Sequence, residues 1–150
     1  SEIMKIVVGS DHAGFTLKEL IREHLTQAKY EVADFGTFCE NSVDYPDIAL
    51  PLVKAVAAGE FSFGILVCGT GVGMAIAANK YPGIRAALCG DTFSARCARE
   101  HNDANILTLG ARVIGPGLAL EIVDLFIESP FQGGRHRRRL DKIAFMERQG

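Results

Sequence analysis

The stretch GILVCGTGVGM, residues 64–74, decides the fold of this chain. Residues 64–67 carry no polar side chain, and the cysteine that follows them leads into glycines at alternate positions. A short apolar run without polar alternation is typical of a strand that is buried on both faces. Glycines directly after such a strand let the backbone turn tightly and enter a helix. We therefore expect a parallel sheet with helices on its faces.

Similar apolar runs recur along the chain, with helical patterns between them. We predict strands over Lys5–Val8, Glu31–Asp34, Gly64–Val67, Arg85–Cys89 and Asn105–Leu109. We predict helices over Phe15–Ala28, Asp47–Ala58, Gly73–Lys80, Ser94–Glu100, Pro116–Glu128 and Arg138–Arg148, with Pro51 close to the start of the second. Regular alternation of strand and helix indicates right-handed crossovers. The predicted fold class is α/β, a Rossmann-like three-layer sandwich with a five-stranded parallel sheet and an extra C-terminal helix.

Composition and charge restrict the class of protein. The chain has 150 residues, 48% hydrophobic and 23% charged, as in a soluble globular protein, and we expect one domain over residues 1–150. A formal net charge of −2 gives no reason to expect nucleic acid or a membrane surface as a partner. Apolar stretches end well before the ~20 residues of a membrane-spanning helix. Four cysteines without a CxxC pair or a secretion signal indicate a reduced, cytoplasmic protein without a zinc site.

The segment Cys68–Gly73 is the strongest candidate for a functional site, because ligands bind outside the carboxyl ends of parallel strands. Its glycines expose backbone N–H groups that bind anions. The segment is neither a Walker A loop nor a GxGxxG loop, since Met74 stands where the last glycine would be. Cys68 could be a nucleophile or a proton acceptor, because a helix N-terminus favours thiolate. The structural alternative is a plain turn with a small buried cysteine, and we expect that state for Cys39, Cys89 and Cys97.

Two polar pairs are further candidates. Asp11 and His12 follow the first predicted strand, where they either face a ligand or serve as a helix cap and a surface residue. His101 and Asn102 lie between a predicted helix and the fifth strand. They could exchange a proton and hydrogen bonds with a ligand near neutral pH, or they could form an ordinary polar turn.

Arginines near the end of the chain suggest an anionic ligand. Arg112 follows the fifth predicted strand, and the segment GGRHRRR, residues 133–139, opens the last helical region. Arg135 and Arg139 are four residues apart, so on a helix they would share one face. Arginine suits bidentate contacts with phosphate. A solvated run of charges is the simpler alternative for this segment.

Together these segments resemble the type B ribose-5-phosphate isomerases, within a family that also includes allose-6-phosphate and galactose-6-phosphate isomerases. The resemblance covers nearly the whole chain. Its matching segments are Ser10–Phe15, Asp44–Pro46, Cys68–Gly73, Ala77–Lys80, His101–Asp103 and Gly133–His136. One branch of the family uses a glutamate in the helix after the glycine loop as its base. Met74 stands at that position here and cannot accept a proton, so the chain is similar to the cysteine branch.

The resemblance implies isomerisation of ribose 5-phosphate and ribulose 5-phosphate through an enediolate, without a metal or organic cofactor. It implies Cys68 as the base that moves a proton between C1 and C2, and His101 as the residue that assists opening of the sugar ring. It implies that Thr70 and the amides of Gly69, Gly71, Val72 and Gly73 hold the enediolate oxygens. It implies that Asp11 and Asn102 contact sugar hydroxyls. The phosphate would be held by His12, Arg112, Arg135 and Arg139, with His136 a weaker candidate. It also implies a homodimer with shared active sites, or a dimer of dimers.

Three alternatives stay open at this point. The first is an isomerase of a six-carbon sugar phosphate, because sequence gives no distance between the glycine loop and the arginines. The second is a non-catalytic nucleotide-binding module, which Asp91 after the fourth strand favours and Met74 disfavours. The third is a hydrolase or transferase with Cys68 as nucleophile and His101 as its partner. The sequence also leaves open the roles of Arg137 and Arg138 and the ionisation state of Cys68.

Overall fold

A computed structural model describes residues 3–150 and contains a five-stranded sheet with six helices. The strands are β1 (Lys5–Ser10), β2 (Glu31–Asp34), β3 (Phe63–Cys68), β4 (Ala86–Leu88) and β5 (Ile106–Gly110). The helices are α1 (Phe15–Gln27), α2 (Tyr45–Ala57), α3 (Val72–Ala78), α4 (Thr92–Glu100), α5 (Pro116–Glu128) and α6 (Arg135–Gln149). Every pair of neighbouring strands is parallel, in the order β2-β1-β3-β5-β4. The predicted α/β class, with its parallel sheet and extra C-terminal helix, is confirmed.

Helices cover both faces of the sheet, which makes the three layers. All six residues of β3, the central strand, are buried. Its side chains alternate between the faces: Ile65 and Val67 pack with α1, α4 and α5, whereas Leu66 and Cys68 pack with α2 and α3. Full burial of one such leucine or isoleucine contributes about 1.5–3 kcal/mol. The same alternation directs the Cys68 side chain toward α2 and α3.

The start of α2 differs from the prediction. Pro51 lies inside the helix and not near its start, so that prediction was wrong. Pro46 occupies the first turn instead, where a missing N–H breaks no helical hydrogen bond. Pro51 is exposed, so water can satisfy the carbonyl group that loses its partner.

The fourth strand and the last helix also have different bounds. β4 is three residues long, and the side chain of Asn79 covers its outer edge. The Asn79 amide donates to the Ala86 carbonyl at 3.0 Å and accepts from the Ala86 N–H at 2.8 Å. The Ala77–Lys80 segment of the resemblance therefore contains a structural residue. Further along, α6 begins at Arg135, three residues before the predicted start, so most of the arginine run is helical.

Among residues 3–150, no helix is both long and apolar enough to cross a membrane.

Lys18 is a buried charge that fastens the loop after β2 to α1. Its side chain is fully buried, and Nζ donates to both carboxylate oxygens of Asp34 at 2.9 and 2.8 Å. Nζ also donates to the Thr37 carbonyl at 2.6 Å. The same loop runs beside the end of β1, where the Ser10 N–H donates to the Gly36 carbonyl at 2.6 Å. The ion pair thus holds the loop against the carboxyl edge of the sheet.

We predict that Lys18→Met lowers the free energy of unfolding by about 3–5 kcal/mol, because it leaves Asp34 partly buried without its ion-pair partner. Equilibrium urea unfolding measures this change. Glu19→Gln is the matched control: Glu19 also contacts Nζ, at 3.1 Å, but is one-third exposed, so its loss should cost less than about 1 kcal/mol. Equal free energies of unfolding for Lys18→Met and Glu19→Gln would contradict the prediction.

Candidate active site

Cys68 ends β3 with its sulfur inside the turn of glycines. The residue is 5% exposed, and the Gly71 N–H donates to Sγ at 3.2 Å. Thiolate is the form of cysteine that accepts a proton, and it is a stronger hydrogen-bond acceptor than the thiol. The contact holds the sulfur inside the turn, next to the amides of the glycine loop.

Gly71 makes this contact through a backbone conformation that favours glycine. Its φ is +81°, in the left-handed region, and it lies directly before α3. Its carbonyl accepts the buried Thr108 hydroxyl at 2.9 Å, which ties the loop to β5. A Cβ at Gly71 would lie 2.9 Å from the carbonyl carbon of Leu109. Both the torsion angle and the close approach to β5 thus require a residue without a side chain.

Thr70 and Arg112 border the same loop. Thr70 is exposed, and its Oγ1 accepts the Val72 N–H at 3.2 Å, which leaves its own O–H to donate to a ligand. The Arg112 N–H donates to the Gly69 carbonyl at 3.0 Å. The Arg112 guanidinium lies beside Gly69, since a Cβ at Gly69 would be 3.3 Å from Nη1. A fixed hydroxyl and a guanidinium therefore lie next to the cysteine turn.

Asp11 and His12 lie beside this turn because β1 pairs with β3. The Asp11 N–H donates to the Val67 carbonyl at 3.2 Å. Asp11 is buried, and its carboxylate accepts the Gly14 N–H at 3.0 Å. Gly14 is itself the N-cap of α1, which has no side-chain cap, so the helix-cap alternative for Asp11 was wrong. Nδ1 of His12 accepts the Val43 N–H at 3.2 Å, so the neutral ring carries its proton on Nε2.

The His101–Asn102 turn lies at the opposite edge of the sheet. It follows α4, which returns the chain to the amino ends of the strands. The nearby Asn105 carbonyl accepts the Gly64 N–H at 3.0 Å, which places the turn beside the start of β3. Cys68 instead pairs with Gly110 at the far end of β5. At roughly 3.3 Å per residue, the length of β5 alone separates the two edges by about 13 Å. His101 and Cys68 of one chain therefore do not share a site.

The first turns of α6 lie beside His101. His136 is buried, and its ring stacks on that of His101 with centroids 4.4 Å apart and planes inclined by 13°. Arg135 and Arg139 are exposed on the same helix, four residues apart, as the sequence pattern predicts. The Arg137 guanidinium lies over the ring of Phe131 at 4.8 Å. The arginine run therefore belongs to an ordered helix next to a pair of histidines.

The predicted residues thus form two half-sites. The cysteine half-site consists of Asp11, His12, the Cys68–Gly73 segment and Arg112. The histidine half-site consists of His101, Asn102, Arg135, His136 and Arg139. The structure brings the members of each half-site together and keeps the two half-sites apart. A site that uses both requires the histidine half-site of a second copy of the chain.

The other cysteines have different environments. Cys89 is buried as expected, and burial, helped by the Asp91 carboxylate, raises the pKa of its thiol to about 11. The expectation of burial was wrong for Cys39, which is exposed, and Cys97 is partly exposed. In the described part of the chain, no group of three or more His, Cys, Asp or Glu side chains could hold a metal ion.

Tyr45 lies beside the cysteine half-site, although no role was predicted for it. A Cβ at Gly73 would lie 2.7 Å from the Tyr45 ring and 3.1 Å from its hydroxyl oxygen. Tyr45 is 39% exposed, so it lies at the surface beside the loop. The Asp44–Pro46 match pointed to this segment, but only the packing of α2 against α3 brings the hydroxyl to the glycines.

The family model described as Ribose/Galactose Isomerase matches residues 6–143. Ribose-5-phosphate isomerase B of Escherichia coli is 48% identical over 145 residues, which are 97% of this chain and 97% of that protein. The match thus includes both half-sites.

Solved structures give the same result. Ribose-5-phosphate isomerase B of Clostridium thermocellum is 55% identical and superposes with a TM-score of 0.96, covering 97% of this chain and 99% of that one. Ribose-5-phosphate isomerase B of Mycoplasma genitalium, solved with bound ribulose-5-phosphate, is 41% identical with a TM-score of 0.94, covering 99% of this chain and 100% of that one. The chain therefore belongs to the ribose/galactose isomerase family.

Proposed function

We propose that this protein interconverts ribose 5-phosphate and ribulose 5-phosphate, with Cys68 as the base. The observation that carries the proposal is the Cys68 sulfur at the end of β3, held by the Gly71 N–H inside a glycine loop. The family relation favours an isomerase over a nucleotide-binding module or a cysteine-nucleophile hydrolase. The ribulose 5-phosphate bound to the Mycoplasma genitalium relative favours a five-carbon substrate over a six-carbon one.

The chemistry moves one proton between two carbons. The Cys68 thiolate removes the proton from C2 of the open-chain aldose, and the electron pair forms an enediolate across C1 and C2. The thiol then returns a proton to C1, while the proton of the C2 hydroxyl passes to the C1 oxygen, so that no proton is consumed. A positioned base contributes roughly 10²–10⁴ to such a rate.

The enediolate oxygens need partners while they carry charge. We assign that role to the Thr70 hydroxyl and to the amides of residues 69–73, because one well-placed donor contributes roughly 10²–10³ in rate. Asp11 lies beside the loop and would accept a hydrogen bond from a sugar hydroxyl. His12 would donate from Nε2 to the phosphate, in accordance with the tautomer that the Val43 N–H imposes. The Arg112 guanidinium, beside Gly69, would meet the same phosphate.

The histidine half-site would come from a second copy of the chain. His101 would assist ring opening, Asn102 would contact a hydroxyl, and Arg135 and Arg139 would complete the phosphate site. A homodimer with two shared sites, alone or as a dimer of dimers, meets this requirement by symmetry. Exposed apolar side chains near the short edge strand β4, among them Ile76, Leu88 and Phe93, suit such an interface.

We also propose a cytoplasmic location for this enzyme. All four cysteines are free, and thiols persist in a reducing compartment.

The first test compares ribose 5-phosphate with allose 6-phosphate and galactose 6-phosphate as substrates of the purified protein. We expect the highest kcat/KM for ribose 5-phosphate. Conversion is measured by NMR at equal substrate concentrations. A higher kcat/KM for either six-carbon sugar would contradict the substrate assignment, and no turnover of any of the three would contradict the proposed activity.

Cys68→Ala should reduce turnover by about 10²–10⁴, because it removes the base. Binding of ribulose 5-phosphate should change little, since the loop and the arginines remain. Turnover and calorimetric binding measure the two effects. Cys39→Ser is the matched control, because Cys39 is exposed and lies outside both half-sites. Full turnover by Cys68→Ala would show that another group is the base.

Mixing two inactive variants tests the shared site. Cys68→Ala and His101→Asn damage different half-sites, so a mixed dimer contains one site with both defects and one intact site. Co-expression at equal amounts should give about a quarter of wild-type activity, because roughly half of the dimers are mixed and each has one intact site. Co-expressed Cys68→Ala and Thr70→Val, both in the cysteine half-site, should give no recovery. Equal activity of the two mixtures would contradict the shared site.

A further inference from the structure

The stacking of His136 on His101 suggests a role for His136, which has no role in the proposed mechanism. The two imidazole rings lie face to face, with centroids 4.4 Å apart and planes inclined by 13°. Flat rings in this arrangement restrict each other's rotation, because tilting one ring drives it into the other. The His101 ring is thus held by a neighbour of its own chain before any substrate arrives.

Both sides of this pair are anchored. The Gln132 N–H donates to the Glu100 carbonyl at 3.0 Å, which ties the segment before α6 to the end of α4. One turn into α6, Leu140 is buried. On the other side, Arg99 donates to the Asp103 carboxylate at 2.9 Å and holds the turn that follows His101. The segments that carry the two rings are therefore held in place by hydrogen bonds and packing.

His136 has the properties of a spacer and not of a proton carrier. It is 6% exposed, and its buried Nε2 has no hydrogen-bond partner among the described residues. Burial lowers the pKa of His136, as do the positive charges of His101, Arg135 and Arg139. A lower pKa favours the neutral form of His136, whose ring can pack flat against the ring of His101 without adding a second charge there.

Opening a furanose ring requires an aligned acid–base group. The C1 hydroxyl loses its proton, the C1–O4 bond breaks, the C1 carbonyl forms and O4 gains a proton, so no net proton is consumed. Ribulose 5-phosphate needs no such step, because its O5 is esterified and cannot close a furanose ring on C2. A defect in ring opening can therefore be separated from a defect in the proton transfer between C1 and C2.

We infer that His136 is a positioning residue that holds the His101 ring for opening of the sugar ring, by stacking on it and without touching the sugar phosphate. This inference rests on the proposed function. The alternative task for His136 is a direct contact between its Nε2 and the substrate phosphate. The two tasks differ in whether a flat ring without nitrogen can replace the histidine.

The test compares His136→Ala and His136→Phe in two assays. The first measures turnover of ribose 5-phosphate, and the second follows exchange of the C1 proton of ribulose 5-phosphate with D₂O by NMR. His136→Ala should lower turnover of ribose 5-phosphate at least about tenfold, because it loses part of the roughly 10²–10⁴ that an aligned acid–base group contributes to the rate. Its rate of C1 proton exchange should stay within about twofold of the wild-type rate. His136→Phe should retain both. Lys142→Ala, an exposed change on the same helix, is the control and should match the wild type.

Other outcomes overturn the inference. A rise in KM and a loss of turnover in His136→Phe equal to that in His136→Ala would make His136 a phosphate ligand. An equal loss of turnover and exchange in His136→Ala would mean that the whole site is disturbed, and unchanged turnover would mean that the stack has no role. Absence of both activities in the wild-type protein would instead contradict the proposed function. Full exchange by Cys68→Ala would contradict the assignment of Cys68 as the base.

Discussion

The common direction of the five strands is the constraint on which the rest of the structure depends. Parallel strands place all their carboxyl ends at one edge of the sheet, and the helix after each strand must return to the other edge. Side chains that follow a strand, such as Asp11, Cys68 and Arg112, therefore gather at one edge. Side chains that end a returning helix, such as His101, gather at the other. One copy of this fold therefore cannot assemble all of these side chains in one site.

Gly71 makes two of the backbone contacts at the carboxyl edge of the sheet. Its N–H donates to the Cys68 sulfur, and its carbonyl accepts the Thr108 hydroxyl of the neighbouring strand. The left-handed torsion at this glycine is what lets both contacts form at once. The loop is thus fastened to the sheet before a ligand binds, and a base held in a preorganised setting needs little reorganisation during reaction.

Buried cations position loops at both edges. Lys18 lies under the loop after β2, where Asp34 and a carbonyl group neutralise it. Arg99 lies under the turn after His101, where it contacts the Asp103 carboxylate and the rings of Phe63 and Phe126. Replacing a whole buried ion pair by apolar side chains is often neutral for stability, whereas removing one partner alone is costly. The effect of these cations is to select one loop conformation, which the candidate sites at each edge require.

The sequence by itself determined the alternation of strands and helices, the parallel sheet, and the cysteine with its glycine loop, because these depend on local periodicity and local torsion angles. Only the tertiary structure decided that Pro51 lies within α2, that Tyr45 covers Gly73, that Lys18 is buried, and that His136 stacks on His101. These features depend on contacts between segments far apart in the chain, and such contacts leave no period in the sequence. The division into two half-sites follows from strand direction, which is a property of the assembled sheet.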